Sequence, residues 1–217
     1  MLYDLETTRI VTETLQSYFK LGVAIPPMIC DPVCISTSGH TLLHQDAIEF
    51  MMTQLFPMAT VITPNKTEAE LLLAQKGISQ KIENLDGMVI AAHLLLLSVE
   101  SHAVLLKGGH VTVTMHDVIM ISEKNSDIQI VKHGFYGENM EILLARHQDS
   151  ELGRELVVDI LHQRSAERTM FVRPHINSSS THGTGCTLSS AIACEIALGC
   201  DCMYDIEHSV LFSAADK

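Results

Sequence analysis

A regular alternation of short apolar segments and longer helical patterns restricts the fold of this chain more than any other sequence feature. Apolar strands are predicted at 28–30, 59–63 and 103–107, and helices at 7–19, 46–55, 67–75 and 85–99. Such an alternation with short connections predicts an α/β fold, with a mostly parallel central sheet and helices on both faces.

Helical periodicity assigns apolar faces to the first two helices. These residues are Ile10, Val11, Leu15, Tyr18 and Phe19 in the first helix, and Ile48, Met51, Met52 and Leu55 in the second. The helix at 67–75 is expected to begin at Asn65 or Thr67, because both residue types are favoured as N-caps.

The second half of the chain is less regular. Between 117 and 156 the periodicity fails, and we expect a surface insertion within a single domain that spans 1–217. Strands are then predicted at 157–161 and 170–172, as a hairpin, followed by helices at 187–198 and 204–214.

The net charge argues against two classes of binding partner. The formal net charge is −12, which argues against broad binding of nucleic acid or of anionic membranes. The apolar run 94–97 is too short to span a bilayer.

Six cysteines occur without a secretory signal or a paired Cys-x-x-Cys motif, so we expect a reducing compartment, the cytoplasm.

Polar residues stand at the ends of three predicted strands. Asp31 follows the first, Asn65 follows the second, and Lys107 ends the third. In parallel sheets, ligands bind beyond the carboxyl ends of the strands. Lys107 could reach nucleotide phosphates as a point charge, or be a solvated lysine before a turn. Asp31 is a site residue if a site forms there, and otherwise a turn former.

Asn65-Lys66-Thr67-Glu68 allows two interpretations. An amide and a carboxylate at a strand end could support magnesium through water, because hard cations prefer oxygen ligands. The same spacing is typical of an ordinary helix start with a capping glutamate.

The sequence Gly183-Thr184-Gly185-Cys186 precedes a predicted helix. Two glycines allow a sharp turn, and the first N–H groups of a helix favour an anion. The arrangement suits a transferring phosphoryl group, and a Cys186 thiolate could accept a proton from a substrate hydroxyl. The alternatives are a glycine-rich turn with a buried cysteine, and a cysteine hydrolase that uses Cys186 with His182.

Together these motifs resemble a known family: the hydroxymethylpyrimidine and hydroxymethylpyrimidine phosphate kinases of thiamine biosynthesis, in the ribokinase-like superfamily. The matching segments are Asp31-Pro32-Val33, Ser36-Thr37-Ser38-Gly39-His40, Ile62-Thr63-Pro64-Asn65, Glu68-Ala69-Glu70-Leu71-Leu72, Leu105-Leu106-Lys107-Gly108-Gly109-His110 and Thr181-His182-Gly183-Thr184-Gly185-Cys186. A cysteine in place of the aspartate of sugar kinases is typical of the pyrimidine branch. Val158-Asp159-Ile160-Leu161 and Arg173-Pro174 resemble fungal members.

The resemblance implies phosphorylation of 4-amino-5-hydroxymethyl-2-methylpyrimidine, its monophosphate, or both, with ATP and Mg²⁺. Cys186 would be the base for the hydroxymethyl group. Gly183, Thr184 and Gly185 would form the anion hole. Lys107 and Thr184 would contact ATP.

For the metal, the resemblance implies that Asn65 and Glu68 act through water, with Asp31 near both the phosphates and the cation. For the pyrimidine, it implies contacts from Met1, Val33 and Cys186. The expected partner is a small molecule, and a homo-oligomer is compatible with the sequence.

One departure concerns the start of the family pattern. Members begin with a strand and a glycine-rich segment that forms much of the pyrimidine site, and no such segment occurs here. We therefore expect a kinase domain that is incomplete at its N-terminus and weakly active or inactive. The rival interpretation is a non-catalytic relative that binds a nucleotide or pairs with an intact kinase subunit.

Overall fold

The computed structural model describes residues 2, 4–21, 26–35, 42–109, 111–132, 155–175 and 184–198. The helices are α1 (Leu5–Phe19), α2 (Gln45–Phe50), α3 (Lys66–Gln75), α4 (Leu85–Val99), α5 (Met115–Lys124) and α6 (Thr184–Ala197). The strands are β1 (Ile29–Cys30), β2 (Val61–Ile62), β3 (Ala103–Leu106), β4 (Ile128–Lys132), β5 (Leu156–Gln163) and β6 (Arg168–Pro174). A π-helical turn, Met51–Leu55, and a 3-10 turn, Phe56–Met58, extend α2.

The strands form one six-stranded sheet in the order β1-β2-β3-β5-β6-β4. Strands β1, β2 and β3 are parallel to one another, and β4 is parallel to β6. Strand β5 runs antiparallel to both of its neighbours, β3 and β6. The predicted α/β class with a mostly parallel sheet is confirmed, and the predicted hairpin is β5–β6.

Helices cover both faces of the sheet, as predicted. Strand β3 shows this directly, because its four buried residues alternate between two apolar clusters. Val104 and Leu106 belong to the cluster that includes residues of α2, α3, α4 and α5. Ala103 and Leu105 point to the other face, where Leu188 of α6 packs. This alternation is the period of two that a strand imposes on its side chains.

Local capping signals set the starts of several helices. The side chain of Asn65 accepts a hydrogen bond from the Glu68 N–H at 3.0 Å, which makes Asn65 the N-cap of α3. Asn84 caps α4 in the same way through Gly87. Helix α4 has the predicted bounds, 85–99. No helix within the described ranges is both long enough and apolar enough to cross a membrane.

The face that α1 buries differs from the predicted one. Ile10, Val11 and Tyr18 are exposed, whereas Thr8 and Thr12 are fully buried. Both threonine hydroxyls donate to the carbonyl four residues earlier, at 2.7 Å. A hydroxyl that is satisfied within its own helix can be buried without an external partner. Apolar periodicity therefore missed these threonines, although Leu15 of the predicted face does pack against the core.

The expected loss of regular structure between 117 and 156 is wrong for the first part of that segment. Helix α5 covers Met115–Lys124, and Thr114 and Asp117 form its capping box. Strand β4 follows and pairs with β6, which lies about forty residues later in the chain. Residues 133–154 lie outside the described residues, and an insertion at 117–156 within one domain stays a prediction.

Helix α6 begins at Thr184, three residues before the predicted start at 187. Gly185 and Cys186 therefore belong to its first turn rather than to a preceding loop. The predicted helix at 204–214 lies outside the described residues.

The residue Gly108, two positions after the end of β3, lies close to the backbone of β5. A Cβ atom on Gly108 would lie 1.9 Å from the Val158 carbonyl oxygen and 2.8 Å from the Met88 Cε. The Gly108 N–H also donates to the buried Asp159 Oδ1 at 2.8 Å. Only glycine fits at this position, because a side chain would push β5 away from the end of β3.

We expect Gly108→Ala to lower the free energy of unfolding by at least about 2 kcal/mol, because a backbone oxygen must move to admit the methyl group. Gly109→Ala is the matched control, since a Cβ there meets nothing within 4 Å, and should change stability by less than about 1 kcal/mol. Urea unfolding followed by circular dichroism measures both. Equal midpoints for the two variants would show that the close contact is relieved at no cost.

Candidate functional site

The carboxyl ends of β1, β2 and β3 meet at one edge of the sheet and bring the predicted polar residues together. Asp31 follows β1, Asn65 lies just beyond β2, and Lys107 follows β3 directly. The backbones of Asn65 and Lys107 pair as a parallel bridge, and the Lys107 N–H donates to the Pro64 carbonyl at 2.9 Å. Parallel register therefore produces the predicted cluster at the edge where such sheets bind ligands.

Asp31 and Lys107 form a largely buried ion pair. The Lys107 Nζ lies 2.9 Å from the Asp31 Oδ1, and the two side chains are 14% and 12% exposed. The Thr63 hydroxyl donates to the same carboxylate oxygen at 3.0 Å. Lys107 is thus not a solvated lysine before a turn. Removal of either partner would leave a charge that is largely withdrawn from water, which is costly.

The first turn of α6 lies against this ion pair. A Cβ atom on Gly185 would come within 2.8 Å of the Lys107 Nζ and 3.7 Å of the Asp31 Oδ2. Glycine at this position lets the helix start approach the ammonium group. The first N–H groups of a helix lack partners within the helix and attract anions. The ammonium group and the helix start therefore offer a phosphate two positive partners side by side.

Cys186 is the next residue of the same turn, and it is a free, exposed cysteine. The interpretation as a buried cysteine in a structural turn is therefore wrong. The other cysteines near this sheet edge differ, since burial raises the pKa of the Cys30 and Cys34 thiols to about 12. Cys186 is an exposed thiol that directly follows Gly185, the residue next to the ion pair, and its role as a base stays a prediction.

Glu68 occupies the buried side of the site and is 2% exposed. Its carboxylate accepts a hydrogen bond from the Asn65 N–H at 2.8 Å, which completes the capping box of α3. Burial raises the pKa of Glu68 to about 7, against the lowering effects of this hydrogen bond and of the Lys107 charge. The helix-start interpretation of this motif is confirmed, and its metal role stays a prediction.

Asp31 and Glu68 are the two carboxylates of this site, and their role in holding a metal through water stays a prediction. Among the described residues, no group of three or more His, Cys, Asp or Glu side chains could hold a metal ion. Asp31 and Glu68 are close enough that the Asp31 charge raises the pKa of Glu68. Two neighbouring carboxylates can accept hydrogen bonds from the waters that Mg²⁺ usually keeps.

Only some of the remaining predicted site residues lie within the described ranges. Val33 is half-buried and lies in the turn after β1, where its N–H donates to the Asp31 carbonyl at 2.9 Å. Met1, His182 and Gly183 lie outside the described residues, as does the side chain of Thr184. The pyrimidine contacts, the complete anion hole and a Cys–His pair therefore stay predictions.

Sequence reasoning missed Thr63 and Asp159. Thr63 is the last residue of a predicted strand and binds Asp31, and its position before Pro64-Asn65 was a usable signal. Asp159 is a fully buried carboxylate in the centre of β5 that holds the Gly108 N–H. A lone acidic residue within an apolar strand is such a signal, because buried charges require partners.

Comparison with known proteins relates this chain to a family of kinases. The sequence model of the phosphomethylpyrimidine kinase family matches residues 1–140 and 126–214. A hydroxymethylpyrimidine/phosphomethylpyrimidine kinase of Synechococcus elongatus is 30% identical over 199 residues, which cover 92% of this chain and 56% of that kinase. A kinase of the same description from Saccharomyces cerevisiae is 27% identical over 205 residues, or 94% of this chain and 29% of that protein.

A solved structure is similar as well. The crystal structure of phosphomethylpyrimidine kinase from Clostridium difficile aligns with a TM-score of 0.61 and 28% identity, over 99% of this chain and 66% of that one. This chain thus spans between about a third and two thirds of the length of these relatives.

The raised pKa of Glu68 predicts a dependence of stability on pH in the absence of metal. Below its ordinary value of 4.5, Glu68 is protonated in both the folded and the unfolded chain. As the pH rises toward 7, the unfolded chain releases this proton while the folded chain keeps it, so stability falls. Glu68→Gln keeps a capping-box acceptor and should remove this loss, which is on the order of 3 kcal/mol.

Urea unfolding of the wild type and of Glu68→Gln at several pH values between 4 and 8 measures the difference. Glu83→Gln, which alters an exposed carboxylate, is the matched control and should keep the wild-type profile. Parallel profiles for wild type and Glu68→Gln would contradict the assignment.

Proposed function

Because this chain belongs to the phosphomethylpyrimidine kinase family, we propose that it phosphorylates 4-amino-5-hydroxymethyl-2-methylpyrimidine, its monophosphate, or both, with ATP and Mg²⁺, in thiamine biosynthesis. The observation that carries the proposal is the position of Lys107. Its ammonium group lies between the Asp31 carboxylate and the first turn of α6. That place suits a lysine that meets the phosphates of ATP, because a phosphate there gains both the ammonium charge and the helix N–H groups.

In this proposal, Gly183, Thr184 and Gly185 form the anion hole for the transferring phosphoryl group. The backbone N–H groups of the first helical turn support this role, because they lack partners within the helix. Phosphoryl transfer depends mostly on positioning and on stabilisation of charge at the equatorial oxygens. Lys107 and Thr184 would hold the donor phosphates against the same turn.

Cys186 is proposed as the base. Its thiolate takes the proton of the substrate hydroxymethyl group, and the freed oxygen attacks the γ-phosphorus of ATP. The bond from that phosphorus to the bridging oxygen breaks, and ADP leaves with the electron pair. The exposure of the Cys186 thiol beside the helix start supports this assignment, because the helix dipole favours negative charge there.

Magnesium would supply charge neutralisation for the phosphates. Asn65 and Glu68 are proposed to support it through water, with Asp31 near the phosphates and the cation. The substrate ring would lie near Val33 and Met1. A reducing compartment, the cytoplasm, suits the free cysteines Cys30, Cys34, Cys186 and Cys194.

A second candidate function is nucleotide binding without turnover, either alone or with a partner chain. Two observations favour it. The first is the Lys107 ammonium group beside the first turn of α6, which by itself accounts for phosphate binding, and the second is that α1 exposes the apolar residues Ile10, Val11 and Tyr18, which a partner chain could cover. The purified chain, assayed with hydroxymethylpyrimidine, ATP and Mg²⁺, separates the candidates. Turnover supports the kinase, and ATP binding without turnover supports the second candidate. A chain that neither turns over substrate nor binds ATP would refute both candidates.

Cys186→Ala should lower kcat about 10²- to 10⁴-fold, which is the usual contribution of a general base, and leave ATP binding unchanged. Cys194→Ala is the matched control, because Cys194 is another exposed free cysteine on α6, and it should keep wild-type activity. Product formation followed by chromatography, together with titration of a fluorescent ATP analogue, measures both quantities. Full activity in Cys186→Ala would remove the thiol from the mechanism.

A further inference from the structure

Asp159 is a charged residue in a place where charge is costly. It lies in the middle of β5 and is fully buried. Its Oδ1 accepts the Gly108 N–H at 2.8 Å, and its Oδ2 lies 2.7 Å from the Nη1 of Arg173. The second contact is an ion pair rather than an aligned hydrogen bond. A buried carboxylate with these two partners is satisfied only while both stay in place.

The first partner belongs to the turn that carries Lys107. Gly108 is the residue after Lys107, and β3 ends beside β5 with Leu106 opposite Ile160. Gly108 lies close to β5, because a Cβ atom added to it would come within 1.9 Å of the Val158 carbonyl oxygen. The Asp159 carboxylate prevents movement away from β5 by holding the Gly108 N–H. These two contacts fix the backbone one residue beyond the ammonium-bearing side chain.

The second partner belongs to the strand that leads into α6. Arg173 is the next-to-last residue of β6, and α6 with Gly185 in its first turn is the next described element of the chain. Arg173 is largely buried, and its ion pair with Asp159 adds to the backbone pairing of β5 with β6, in which Val157 lies opposite Arg173. One carboxylate thus contacts both the residue after Lys107 and the strand that precedes α6 in the sequence.

We propose that Asp159 is a positioning residue, which fixes the backbone next to Lys107 and so sets the place of the Lys107 ammonium group in the site. The inference rests on the proposed function for its consequence, namely affinity for the phosphates of ATP. The positioning itself is a property of the folded chain and can be measured without turnover. Loss of Asp159 leaves the Gly108 N–H and the Arg173 guanidinium group without their acceptor, so the turn after β3 loosens.

The experiment measures how fast Lys107 is acylated by an amine reagent in the native protein, using mass spectrometry, with and without ATP and Mg²⁺. In the wild type, the ion pair with Asp31 and the low exposure of the side chain should keep the acylation of Lys107 slow. In Asp159→Ala we expect acylation at least about tenfold faster, because local opening exposes the amine. The ATP concentration that gives half protection should rise about tenfold, a change that loss of global stability alone does not cause while the chain stays folded.

Two further variants sharpen the test. Asp127→Ala removes the carboxylate of another aspartate–arginine pair, Asp127–Arg168, which lies at the opposite end of β6 and is more exposed. It should leave Lys107 at the wild-type rate. Asp159→Asn keeps an oxygen for the Gly108 N–H but loses the charge that holds Arg173, so its rate should fall between those of wild type and Asp159→Ala.

Circular dichroism confirms that each variant is folded, and acylation of the exposed Lys81 is the internal reference. A folded Asp159→Ala chain whose Lys107 reacts within twofold of wild type overturns the inference. If Asp159→Ala does not fold, Asp159→Asn decides: faster acylation of Lys107 supports the inference, and an unchanged rate overturns it. Absence of ATP protection in wild type refutes nucleotide binding while the acylation rates still test the positioning role.

Discussion

The ion pair between Asp31 and Lys107 is the interaction on which the site depends. It joins the end of β1 to the end of β3 across the intervening β2, so it requires three parallel strands in register. Thr63 at the end of β2 donates to the same carboxylate. The pair also lets α6 begin where it does, because a cation without a neighbouring anion would repel the positive end of a helix.

Strand β5 restricts the position of the turn that follows β3. It enters the sheet antiparallel between β3 and β6, and its central part carries both the Val158 carbonyl and the Asp159 carboxylate. These groups contact Gly108 from the side opposite to β2. The turn after β3 is therefore held on one side by the Asn65 bridge and on the other by β5. A flexible lysine side chain is in this way attached to a firmly placed backbone.

Much of this arrangement was predicted from signals that are local in the sequence. Features that depend on burial or on contacts between distant segments were not predicted. Helix α4 and the strand ends at Asp31, Asn65 and Lys107 followed from periodicity and from the capping residues beside them. The buried face of α1 did not, because Thr8 and Thr12 satisfy their hydroxyls internally. Strand β4 was missed because its partner, β6, is distant in sequence. Glu68 completes the capping box of α3, as the helix-start interpretation predicted, and its metal role stays a prediction.

The contact between Gly108 and Val158 involves backbone atoms on both sides. Its geometry is therefore indifferent to which side chain residue 158 carries, while residue 108 has no substitute for glycine. Over evolutionary time the core around β5 could exchange one apolar residue for another without altering the spacing between β3 and β5. The geometry of the proposed phosphate site would then be inherited through a backbone contact, independently of changes among the apolar side chains of the core.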